Sequence, residues 1–128
     1  MMARRVGFAL LGVAGFSAFH EVVFRLMAMA WPDYAAAAPT KSYTLIMLWA
    51  RLVMGAAGAV GIGAAIGRLS RDRAVVTPLV IVITLGAAWV HLGPVWADYP
   101  AWYHALVILA LGPLHGLGAR LTTPHLEP

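Results

Sequence analysis

His20, Glu21 and Arg25 stand in the stretch "HEVVFR", three ionisable side chains inside an apolar run from Val6 to Trp31. Arg51, His91, His104 and His115 occupy comparably apolar surroundings further along. "HEVVF" begins like the metalloprotease helix H-E-x-x-H, but Phe24 stands where the second metal ligand belongs, so that reading fails. His20, His91 and His104 are the residue types of a three-nitrogen metal site or a bis-histidine haem held between helices. Against this, His20 points off the expected interior face and no carboxylate is free to support the ligands. Met27, Met29, Met47 and Met54 are soft donors by type, yet methionine in an apolar helix is ordinarily packing. No nucleophile–base pair, phosphate loop or nucleic-acid module is present. The chain has no cysteine, which excludes disulfides, thiolate zinc, iron–sulfur clusters and thiol redox chemistry.

Charges in apolar helices have two uses. They line a ligand or proton pathway, or they clamp helices together through interhelical hydrogen bonds. Both uses require elements that hold the groups within a membrane, and the composition points there. The 128 residues suffice for one domain; 62% are hydrophobic, 11% are charged, and the mean hydropathy is +0.81. Soluble domains carry about 25% charged residues. A soluble fold of this chain would have too little polar surface to show water.

Four windows are long enough to cross a bilayer core of about 30 Å. They cover about 6–30, 43–66, 74–96 and 101–121, joined by "WPDYAAAAPTKS", "GRLSRDR" and "ADYP". These short loops predict an all-α membrane protein, an antiparallel four-helix transmembrane bundle. The first run continues well past the apolar core of a signal peptide, so it reads as a span that is kept. Arg4, Arg5, Arg68, Arg71, Arg73 and Arg120 flank one side. Trp31, Tyr34, Tyr43, Trp96, Tyr99, Trp102 and Tyr103 flank the other as an aromatic belt. By the positive-inside rule both termini are cytoplasmic, in an inner membrane. The net charge of +4 is then topological and calls for no nucleic acid.

A 3.6-residue period puts Ala14, Ser17, Ala18, Glu21, Arg25 and Ala28 on one small, polar stripe, expected to face inward. Leu11, Phe19, Val22, Leu26 and Met29 are expected to face lipid, with His20 on a flank beside Phe16, Phe24 and Met27. Glu21 and Arg25 are an i, i+4 pair in the favourable order. Counting depth at about 1.5 Å per residue brings Arg51, His91 and His104 to their level. The expectation is a buried Glu21–Arg25–Arg51 cluster with His91 and His104 nearby, His20 secondary, and His115 apart near the basic side. Gly55, Ala59, Gly63 and Gly67 recur every four residues, the small-xxx-small spacing of close helix packing, within the chain or between copies.

An acidic residue in the first of four spans resembles the small multidrug resistance transporters. Arg25 and Arg51 depart from that pattern, because they would neutralise a proton-exchanging Glu21. The chain is also similar to uncharacterised small four-span bacterial membrane proteins. The shared features are a Tyr/Pro-containing outer loop after the first helix, a Gly/Ala-rich second helix ending in "GR" and a last helix ending in "LGARL". That resemblance implies the architecture and no activity. The functional expectation is a non-enzymatic transporter-like or ligand-sensing unit without a resident cofactor, in a form open to homo-oligomer contact. A structural clamp and a haem or metal redox protein are the alternatives.

Overall fold

A computed structural model describes residues 1–124. Among these residues four helices are long and apolar enough to span a membrane, which makes the chain an integral membrane protein. Helix α1 covers Met2–Ala30, α2 is the short Pro32–Ala37, α3 covers Leu45–Ser70, α4 covers Val76–Leu92 and α5 covers Ala101–Thr122. The 29 residues of α1 extend about 43 Å at 1.5 Å each. That is more than a bilayer core requires.

Local chemistry sets the boundaries. Trp31 is extended, and Pro32 sits at the start of α2, where its missing N–H is harmless. Thr44 caps α3 by accepting from the Met47 amide at 3.4 Å. Arg71 ends α3 in the left-handed region, at φ 51°. Asp72 then accepts from the Ala74 amide at 2.9 Å and opens the 3-10 turn Arg73–Val75. The third span closes at Leu92, four residues before the sequence expectation of 96, because Gly93 and Pro94 follow.

The helix directions alternate along the chain, as expected of the bundle. The main interfaces are α3–α5, α4–α5, α1–α3 and α1–α4, so α3 and α4 lie across the diagonal although they are consecutive spans. The tightest pair, α3 and α5, therefore runs parallel. An offset of 52 positions joins Arg51 to Tyr103, and the same offset joins Gly63 to His115 and Gly67 to Ala119.

That interface rests on missing side chains. A Cβ on Gly63 would sit 2.8 Å from both the Cα and the carbonyl carbon of His115, and one on Gly118 would sit 2.8 Å from the Ala64 amide nitrogen. Ala59 is fully buried. Thr122 donates across the seam to the Ala64 carbonyl at 2.8 Å. Without a hydrophobic drive between helices in lipid, such close backbone approach and interhelical bonding carry the packing. Ala59, Gly63 and Gly67 thus serve contacts within the chain. Gly55 has nothing within 4 Å of its would-be Cβ.

Two clusters close the ends. At the basic end Ala9, Ile66, Val75, Leu79, Ile83 and Ala119 form the core. There Arg5 bonds Asp72 at 2.8 Å and Arg4 donates to the Ser70 carbonyl at 3.3 Å, tying α1 to the α3–α4 turn. The Arg5 bond holds the Asp72 carboxyl below its usual range. At the aromatic end Tyr34, Ala37 and Met47 pack with Phe24, Met27, Trp31 and Tyr43.

Candidate functional site

Between the two ends the helices separate around a cavity of 690 Å³. Its walls are Phe16 and Phe24 of α1, Leu52, Gly55 and Ala56 of α3, Ala87 and Val90 of α4, and Val107 and Ala110 of α5. Trp49, Val53, Trp89 and Leu106 line it while remaining exposed on the outer surface of the bundle. The cavity is therefore open sideways, toward the lipid. Polar groups gather in its lining: Ser17, His20, Arg51, His91, Tyr99 and Tyr103.

Arg51 anchors that polar group and is only 8% exposed. Its Nε donates to the Tyr103 hydroxyl at 3.3 Å, one terminal nitrogen donates to the Tyr99 hydroxyl at 3.2 Å, and the other to the Tyr34 hydroxyl. The guanidinium lies 4.1 Å from the Phe24 ring centroid and 4.9 Å from that of Tyr43. Tyr43 stacks on Tyr99, and Tyr99 stacks on Tyr103. Phenol oxygens and ring faces supply partial negative charge in place of a carboxylate. Burial raises the Tyr99 phenol to about 12 and pushes Tyr34 up as well, so both remain hydroxyls at neutral pH.

No ion pair to Arg51 exists among the described residues, which corrects the expected Glu21–Arg25–Arg51 cluster. Glu21 bonds Arg25 at 2.7 Å, and the two side chains are 63% and 76% exposed on the outside of α1. The expected inward stripe of Ala14, Ser17, Ala18, Glu21 and Arg25 is exposed. Phe16, Phe19, Phe24 and Met27 turn inward instead, with Phe19 packed over Gly58. The reason is volume: the Phe19 ring fills the space left by Gly58 on α3, and a compact ion pair cannot. His20, expected on the flank, lines the cavity with its ring 4.2 Å from Phe24.

His91 and His104 do meet, their Nδ1 atoms 2.9 Å apart. His104 is almost fully buried, and its Nε2 lies 3.1 Å from the Trp96 carbonyl and 3.0 Å from that of Tyr99. His115 lies apart, as expected. Its Nδ1 donates to the Leu111 carbonyl at 2.8 Å, and its Nε2 is a buried acceptor without a hydrogen-bond partner among the described residues. The Phe16 ring stands edge-on to it at 5.0 Å. Among the described residues no three His, Cys, Asp or Glu side chains converge as a metal-holding group. His104 has both nitrogens engaged within the fold.

Tyr34, Tyr99, Tyr103, Phe24 and Tyr43 are the site residues that sequence reasoning missed as a group. The tyrosines read as an interfacial belt. The available signal was their depth, matching that of one internal arginine with no acid at helical spacing. Comparison with known proteins finds no matching family model, curated protein or solved structure, so the site is read from its own chemistry.

Proposed function

We propose that this protein binds an amphiphile, a molecule with an apolar body and an oxygen-bearing head, which enters its cavity sideways from the bilayer. The observation that carries the reading is Arg51, a buried guanidinium with no carboxylate partner among the described residues, on the wall of a lipid-accessible apolar cavity. Ligand pockets are mostly apolar with a few convergent polar groups, and 690 Å³ lies within their usual size. Five N–H groups belong to a guanidinium, and three hydrogen bonds to tyrosines do not exhaust them. The protein acts as a small sensing or carrying unit without chemistry of its own. The arginines grouped at one end support an arrangement with both termini cytoplasmic in a bacterial inner membrane. With no native thiol, Ala74→Cys and Ser42→Cys test it: an impermeant thiol reagent added outside should label only the second.

The binding test uses a dansyl-labelled fatty acid, whose fluorophore accepts energy from Trp49 and Trp89. Wild-type protein should show saturable transfer. Gly55→Phe, whose ring enters open space, should abolish transfer while helix content is kept. Equal, saturable transfer in the two proteins would remove the cavity as the site.

The clamp reading is favoured by one observation of its own. Arg51 links α3 to α1, α2 and α5 through Phe24, Tyr34 and Tyr103. Clamp and binding site are compatible, since the same cage that fixes the guanidinium would hold it ready for a ligand.

A further inference from the structure

The bonding around His104 specifies the head of the ligand. A neutral imidazole has one N–H and one lone pair. With both rings taken as neutral, the neighbours of His104 fix which of its nitrogens carries the proton. Two carbonyls, of Trp96 and Tyr99, face His104 Nε2. Carbonyls only accept, so the single N–H of His104 is at Nε2 and its Nδ1 is the acceptor. The 2.9 Å contact then requires His91 to donate from its own Nδ1. His91 Nε2 is thereby left as a lone pair, without a hydrogen-bond partner among the described residues, on a side chain that lines the cavity.

Arg51 can only donate and His91 Nε2 can only accept, and both line the same cavity. We infer that the amphiphile carries a hydroxyl, and that this hydroxyl donates to His91 Nε2 while an oxygen of the same head accepts from Arg51. Long-chain phenols, hydroquinones and other lipids with a hydroxylated head have this pattern; ethers and esters without a free hydroxyl lack the donor. A head without a donor leaves the His91 lone pair unmet in a desolvated site. Sites built to bond a hydroxyl reject analogues lacking it much more strongly than apolar pockets reject a change of size. The inference rests on the amphiphile reading and narrows its substrate class.

The experiment is displacement of the dansyl-labelled fatty acid by a long-chain alkylphenol and by its methyl ether. In wild-type protein the phenol should displace the probe at a concentration at least tenfold lower than the ether. In His91→Leu the two should become equal. Equal potency in wild type would overturn the hydroxyl requirement and leave the cavity reading intact. Displacement by neither, with no saturable probe transfer in wild type, would overturn both. Nitrogen-15 histidine spectra give a readout independent of any variant's folding: His91 should carry its proton at Nδ1 and His104 at Nε2. Adding the phenol should shift His91 Nε2. A resting His91 protonated at Nε2 would overturn the inference.

Discussion

Arg25 and Arg51 are the same residue type in neighbouring apolar helices, and the fold treats them in opposite ways. Arg25 has its counter-charge one turn away on its own helix, and the pair faces outward. Arg51 has no acid paired with it among the described residues, and it is buried among three tyrosine hydroxyls and two close aromatic rings. A pair neutralised locally needs nothing from the rest of the molecule, so it can occupy any face. An arginine without such a partner must be supplied with electron-rich groups by other elements, and that supply is tertiary structure. The difference shows which of the two charges organises the fold.

The contrast is tested most severely by Arg51→Met, which strips the donor from three tyrosine hydroxyls. A loss of about 3 kcal/mol is expected, the scale of several charged hydrogen bonds net of desolvation. Denaturant titration in detergent measures it. Arg25→Met should cost only about 1 kcal/mol, and Glu21→Gln with Arg25→Gln should lie near wild type. If the Arg25 substitution costs as much as the Arg51 one, the distinction collapses.

A third prediction sharpens the cage. Tyr99 has a folded-state value raised to about 12 against an ordinary phenol near 10. A raised value favours the folded state at every pH below the unfolded value, and that contribution is lost as pH climbs from 10 through 12. Tyrosinate absorbance should therefore lag in wild type, and Tyr99→Phe should remove the latest component. The smallest effect belongs to the basic end. The lowered Asp72 carboxyl stabilises the fold at neutral pH, and the contribution fades as pH falls through its depressed value. Melting temperature in Asp72→Asn should lose that slight acid dependence.

Much of the architecture was legible in the residues. Apolar length identified four spans, and each prescribed window contains most of an observed helix. Gly63 and Gly67 announced close packing by their spacing. Face assignment for α1 failed because periodicity reveals which residues share a side and leaves open which side is inward. Polarity suggested Glu21 and Arg25; Gly58 of α3 selected Phe19, and the cavity and His115 selected Phe16. The second glycine set, Gly112, Gly116 and Gly118, was visible in "LGPLHGLGAR" and lets α5 approach α4 and α3. The aromatic cage was least legible. Tyr34, Tyr99 and Tyr103 come from separate segments and acquire their meaning only when loops converge over Arg51.

The parallel pairing of α3 with α5 has a consequence for biogenesis. Spans enter the bilayer in order, so α3 is inserted while its tightest partner is still unmade. Its glycine-lined face, from Ala59 to Gly67, has no matching surface until the last span arrives, since α4 lies across the diagonal. The same final step delivers Tyr103 to Arg51 and His104 to His91. Emergence of α5 thus completes the close packing and the polar wall of the cavity together, so a nascent chain of three spans holds neither.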